Sequence, residues 1–292
     1  MAVAFSVIAG LVAPPLLRRR RRRLAFGQAL PEPMRDAITR NVPVSRALPP
    51  DLARRLDGLV IAFLAEKQFV GCNGLEISDE IRATIAAQAC LLLLGRLGLY
   101  DELQSILVYP GAFWVDDEVH DDDGLVTQRR RELSGEAWDS HRIILSWQDI
   151  EETARQPADG YNVVLHEFAH YLDAEGRGLA PRPPSRESPS SDRVRAIDAW
   201  HQDLVAEYET LCDAVDRGEP TFLDPYAAED EVEFFAVVSE EFIECSGELR
   251  AAHPRLYALL CEFYGIDPAA WSARAFVPGL PRASGKADTL AR

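Results

Sequence analysis

The stretch YNVVLHEFAHYLD, residues 161–173, sets His166, Glu167 and His170 into one apolar segment. The chain has six histidines in 292 residues, and two of them stand here four positions apart. Four residues make about one helical turn, so both imidazoles face the same way and can reach one metal ion. Zinc suits such donors: it takes imidazole and carboxylate ligands in a tetrahedron. Glu167 follows the first histidine directly. A carboxylate there can take a proton from a water acidified by the metal and pass it to a leaving amine. The alternative is a pair of core histidines bonded to main chain. Glu167 would then be a buried charge with no task, which is costly.

A catalytic zinc needs a third protein ligand and an open position. No HxxGxxH continuation follows His170, so a three-histidine site of that type is excluded. Three carboxylates compete for the place. Asp173 lies seven residues after His166 on the same face of the same segment. Glu233 and Glu240 are also seven apart, on the later helical run EVEFFAVVSEEFIE. Two acids on one face of an apolar helix point into a polar site, one as ligand and the other holding a histidine by its far nitrogen. The residues alone leave Glu233 and Glu240 even.

HEFAHYLD, then DPYAAEDEVEFFAVVSEEFIE, with ILVYPGAFWVDDE upstream, resembles the MtfA (Mlc titration factor A) family of bacterial zinc metallopeptidases. The similarity runs from about residue 50 to about residue 270 in the same order of segments. It implies one zinc ion per chain on His166, His170 and Glu233, with Glu167 as general base. It places the family's active-site tyrosine on Tyr226, whose phenol would donate to the oxyanion of a tetrahedral intermediate. Asp173 and Glu240 are then expected to support the ligands. The resemblance further implies aminopeptidase-type cleavage of a peptide or small protein. The family is also linked to a glucose-responsive transcriptional repressor, so a regulatory protein that sequesters such a repressor, with the zinc site secondary, is the competing function.

The surroundings give further expectations. HRIILSW precedes the HExxH segment by about one loop, and Arg142–Trp147 is assigned as a strand whose open edge takes an extended substrate. VDDEVHDDDG, residues 115–124, holds six acids and His120 and reads as a solvated acidic loop. QRRREL, residues 128–133, reads as an exposed strand end. No GxSxG is present, and no cysteine has a histidine partner nearby, so serine and cysteine nucleophiles lack support. Gly-rich phosphate cradles are absent as well.

The elements that must position these residues follow from periodicity. Residues 24–50, rich in Pro and polar residues, read as a linker or irregular entry. DLARRLDGLVIAFLAEK reads as a helix with Asp51 as N-cap. SDEIRATIAAQACLLLLGRLG reads as a buried helix starting at Ser78. Short β-type runs occupy 103–150: SILVYP, AFWV, GLVTQRR and HRIILSW. Helical patterns return at 160–175, 192–217, 231–248 and 253–264. A Pro/Ser-rich loop, GRGLAPRPPSRESPSSD, lies between the first two and is expected to cover the cleft. The expected fold is α+β and zincin-like, mostly helical, with a small mixed β-sheet next to the HExxH helix. The expected division is an N-terminal extension and linker over 1–50, one peptidase domain over 51–275 and a polar tail over 276–292.

Composition closes off other classes. The formal net charge is -16, with no basic face beyond one short run, so direct nucleic-acid binding is not expected. The five cysteines are scattered and form no CxxC pair, which fits a reducing, cytoplasmic setting. MAVAFSVIAGLVAPPLL carries no charged side chain for 17 residues and is followed by six arginines, Arg18 to Arg23. The positive charge follows the apolar stretch, the reverse of a secretory signal. The stretch is also shorter than the about 20 residues of a spanning helix. Weak membrane association through residues 1–23 is the alternative to a loose extension.

Overall fold

The structure is a computed structural model that describes residues 22–111, 113–120, 126–133, 135–139, 141–155, 160–176 and 190–271. Helix α1 covers Glu32–Asn41 and α2 covers Pro50–Glu66. Strand β1, Gln68–Gly71, leads to α3, Asp79–Leu91. Five strands follow: β2 Ser105–Tyr109, β3 Phe113–His120, β4 Val126–Leu133, β5 Gly135–Asp139 and β6 Arg142–Ser146. The rest is helical: α4 Trp147–Arg155, α5 Val163–Gly176, α6 Ser190–Asp216, α7 Glu231–Glu244, α8 Ser246–Ala252 and α9 Pro254–Tyr264. The fold is mostly helical with a small mixed sheet.

That sheet runs β1-β2-β6-β5. β1, β2 and β6 are parallel, and β5 joins β6 antiparallel. The parallel strands read as short apolar runs because helices cover them; Ile106, Val108, Ile143 and Leu145 are fully buried. β5 and β6 lie against α5, so the sheet borders the HExxH helix as expected. β6, however, is paired on both sides. Arg142–Ser146 therefore offers no open edge, and Trp147 begins α4. The edge beside α5 belongs to β5, which the sequence reading did not assign.

Two other expectations are corrected. Residues 32–41 form a helix and not a linker. Pro at its start supplies the right φ, and Ala37 and Ile38 are buried where α1 packs on α3. Residues 115–120 of the acidic stretch are strand and not loop. They pair with β4 so that Asp116 stands opposite Arg130 and Asp117 opposite Arg129. The end of the acidic stretch, 121–125, lies outside the described residues, as do most of the Pro/Ser-rich loop, the tail from 272 and residues 1–21.

α3 starts where predicted, with Ser78 Oγ accepting from the Ile81 N–H at 3.2 Å. α2 follows Pro49 with no side-chain cap, and Asp51 falls inside its first turn. The core is one cluster in which Tyr100 meets Phe63 and Phe168 edge to face, with Tyr100 and Phe168 centroids 4.7 Å apart. Phe168 belongs to α5, so the aromatic core fixes the back of the helix whose other side carries the histidines.

Candidate metal centre

α5 begins at an N-cap. Asn162 Oδ1 accepts from the Leu165 N–H at 3.1 Å, satisfying one of the donors that a helix start leaves open. Its Nδ2 donates to Glu244 Oε1 of α7 at 2.9 Å. Its backbone N–H donates to Glu240 Oε2, also on α7. One asparagine thus caps the HExxH helix and ties it twice to the neighbouring helix. Gly160, just before it, sits at φ +89, and a Cβ there would lie 2.4 Å from Glu241 Oε1. Only glycine fits both the conformation and the contact.

α7 is also capped. Asp230 accepts from the N–H groups of Val232 and Glu233, both at 2.8 Å. This places Glu233 in the first turn, at the end of α7 that is open toward the histidines. Just before it, a 3₁₀ turn covers Pro225–Ala228, where Asp224 accepts from the Tyr226 N–H at 2.9 Å. Two aspartate caps therefore set the main chain under Tyr226 and Glu233. Beyond its first turn α7 is buried from Phe234 through Ile243, which explains its almost unbroken apolar sequence.

The side chains converge as follows. Nε2 of His166 and Nε2 of His170 are 3.0 Å apart. Glu233 Oε2 lies 3.1 Å from His166 Nε2, and Glu233 Oε1 lies 3.5 Å from His170 Nε2. Among the described residues, these three are the one group placed to hold a metal ion. Tetrahedral zinc with bonds of about 2.0–2.1 Å sets its ligand atoms about 3.3 Å apart. The observed spacings bracket that edge. Two imidazole nitrogens and one carboxylate turned toward one point are a donor set that zinc takes, so the residues fit a metal on chemistry as well as distance. Glu240 is on the other side of the ring, with Oε1 2.8 Å from His166 Nδ1. A carboxylate there keeps the proton on Nδ1 and leaves the Nε2 lone pair pointing at the cluster.

A sequence model of the family described as glucose-regulated metallo-peptidase M90 matches residues 16–265. The chain belongs to that family. Relatives of this M90 chain include the uncharacterized protein slr2042 of Synechocystis. It is 35% identical over 275 residues, covering 91% of this chain and 97% of its own. Mlc titration factor A of Klebsiella pneumoniae is 37% identical over 231 residues, 78% of this chain and 84% of its own. Mlc titration factor A of Escherichia fergusonii is 35% identical over 246 residues, 83% and 89%. The resemblance to the MtfA family read from the motifs therefore holds.

The other residues expected at the site, Glu167 and Tyr226, are close by. Glu167 is buried, and its charge is felt by both His166 and Tyr226. The Tyr226 ring lies 6.3 Å from that of His166, centre to centre. Burial, with the neighbouring Glu233 carboxylate, pushes the Tyr226 phenol well above its ordinary range. Burial opposes ionisation of Glu233, but hydrogen bonds and charge from His166 and His170 bring it well below the usual carboxylate range. His166 shows the same balance. Burial would lower it, yet Glu240 and Glu233 carry it well above its ordinary value in the metal-free chain. Burial pushes Glu240 up, while His166 and the Asn162 N–H draw it back.

Asp173 stands apart from the convergent three. It is half-buried on α5, and its charge acts on Tyr264, whose hydroxyl donates to Ser239 Oγ at 2.7 Å. The sequence reading missed Asn162 and Glu244. The signal for Asn162 was available: asparagine one residue before an apolar helical run is an N-cap pattern. Glu244 carried no comparable signal, being an acid at a helix end.

Proposed function

We propose that this metallopeptidase is a zinc enzyme that hydrolyses peptide bonds with His166, His170 and Glu233 as its metal ligands. The observation that carries the reading is the approach of two Nε2 atoms and one carboxylate to within 3.0–3.5 Å of each other. When bound, zinc supplies Lewis acidity that polarises a carbonyl and makes water acidic near neutral pH.

Glu167 acts as general base, taking the proton of the attacking water and returning it to the leaving amine. Its burial strengthens both transfers, because few waters compete for its oxygens. Tyr226 keeps its proton throughout the neutral range, so it donates a hydrogen bond where negative charge develops on the substrate oxygen. Glu240 holds the tautomer and angle of His166, and Asp173 supports α5 from the next turn. The edge strand β5 accepts the substrate backbone beside α5. Aminopeptidase-type cleavage is carried by the family resemblance. It is tested by comparing free amino-acid amides with amino-blocked peptides.

The name Mlc titration factor A, borne by several relatives, favours a second role in binding a transcriptional repressor. Glu167→Gln separates the two: hydrolysis is lost, while partner capture persists if binding is independent of catalysis. The primary test is elemental analysis of the purified chain together with hydrolysis of an amide panel. About one zinc per chain with activity supports the enzyme. Absence of zinc, with no activity after zinc is supplied, refutes it.

A further inference from the structure

The three acids of α7 beyond Glu233 all close on the main chain just before α5. Glu241 Oε1 lies where a Cβ on Gly160 would be 2.4 Å away. Glu240 Oε2 accepts from the Asn162 backbone N–H. Glu244 Oε1 accepts from Asn162 Nδ2 at 2.9 Å. Glu240 and Glu244 are four residues apart, so they share one face of α7, and both grip the same asparagine. Asn162 is 1% exposed and Glu240 2%. Water is therefore not at hand to replace these bonds, and a partner removed here leaves a buried polar group unpaired.

Each contact has one possible sense. An ionised carboxylate only accepts, whereas an asparagine amide accepts at one end and donates at the other. Glu244 thus requires Nδ2 on its side of the amide, which turns Oδ1 toward the Leu165 N–H at 3.1 Å. Flipping the amide would break both bonds and set one oxygen against another. With its side chain fixed in this sense, Asn162 presents its backbone N–H to Glu240. Glu240 is then held at both oxygens, because its Oε1 is 2.8 Å from His166 Nδ1. A carboxylate held at one oxygen can turn about that contact; one held at both fixes the direction of the ring it touches. The series of bonds leaves α7 at Glu244, passes through Asn162, returns to α7 at Glu240 one turn earlier, and ends on the imidazole.

We propose that Glu244 and Asn162 are positioning residues of the metal centre: Glu244 orients the Asn162 amide, Asn162 steadies Glu240, and Glu240 sets the angle of His166. The proposal rests on the zinc reading given above. It assigns Glu244 a part in metal affinity although it touches no ligand, and it makes the N-cap of the HExxH helix part of the metal machinery and not only of helix stability. Partners of metal-bound histidines act in this way on affinity, and here the support extends two residues further.

The test is the zinc affinity of the full-length chain, measured by competition with a chromophoric chelator, beside denaturant melts of the zinc-free chain. Glu244→Ala is expected to weaken zinc binding about tenfold. Asn162→Ser keeps the cap and the backbone N–H but loses Nδ2, so it should weaken binding by a similar factor. Since both remove one contact, the double variant should also lose about tenfold and not a hundredfold. Glu244→Gln, which still offers an acceptor to Nδ2, should stay within about twofold of wild type. Tyr257→Phe is the control. It gives up hydroxyl bonds to Asp267 and the Ala269 N–H on another helix, so it should lower stability and leave zinc affinity unchanged. Wild-type affinity in Glu244→Ala overturns the proposal, as does a Glu244→Gln as weak as Glu244→Ala. Multiplying losses in the double variant, or an equal loss in Tyr257→Phe, overturn it too by making the effect one of general weakening. All four leave the zinc enzyme standing. A wild-type chain that takes up no zinc refutes that reading and this one with it.

Discussion

Glu240 and Glu233 hold opposite nitrogens of the same imidazole: Glu240 Oε1 is 2.8 Å from His166 Nδ1, and Glu233 Oε2 is 3.1 Å from Nε2. This separates two acids that composition and spacing leave equivalent. Glu233→Ala is expected to remove zinc and activity together. Glu240→Gln is expected to keep the ion with affinity reduced about 10–100-fold. Zinc content after dialysis against a graded chelator distinguishes them. Full zinc in Glu233→Ala would displace the assigned ligand set.

Glu167 and Tyr226 should fail differently from the ligands. Glu167→Gln keeps zinc and loses roughly 10²–10⁴ in kcat. Tyr226→Phe keeps zinc and KM and loses roughly 10²–10³ in kcat. A Tyr226→Phe enzyme with wild-type kcat would remove the phenol from the reaction and leave it a packing residue of the 3₁₀ turn.

Asn162 is expected to matter through the cap and the Glu244 bond. Asn162→Ala should cost about 1–2 kcal/mol of stability, and Asn162→Ser should recover part of it by restoring the cap. Denaturant melts of the zinc-loaded chain measure this. Equal loss in both variants would show that the cap is not the operative contact.

The metal-free chain should have a definite pH response. His166 has a folded pKa raised above 6.5 by Glu240 and Glu233 against burial. Its ion-pair contribution is therefore complete below about pH 6.5 and lost as pH rises through the raised folded value. The stability gap between apo wild type and apo Glu240→Gln should narrow with increasing pH. Zinc uptake near pH 7 should release a proton, measurable as a buffer-dependent heat. A gap that widens with pH would contradict the pairing.

Much of this was legible in the sequence because periodicity and chemistry agreed there. The spacing of His166 and His170, the apolar faces of α5 and α7, and the runs that became β2, β3, β4 and β6 all follow from local pattern. The failures came where local signals conflicted or pairing decided. Three prolines disguised α1 as a linker, although Met34, Ala37 and Ile38 keep helical spacing. Six acids disguised part of β3 as a loop, because β4, the strand it pairs with, lies on another segment. Whether β6 is an edge depends on β5, a Gly- and Asp-bounded strand of five residues with no apolar alternation. The side of His166 that each glutamate meets depends on how α5 and α7 cross, which no single-helix pattern records.

That crossing leaves little slack. Glu233 and Glu240 stand about 10.5 Å apart along α7, and a slip of one residue moves them about 1.5 Å. A shift of that size would break the contacts to both ring nitrogens at once. Retention of the ion is accordingly a gauge of native helix packing: injury far from the site, if it lets α7 creep along α5, will appear first as metal leaking from a chain that is still folded.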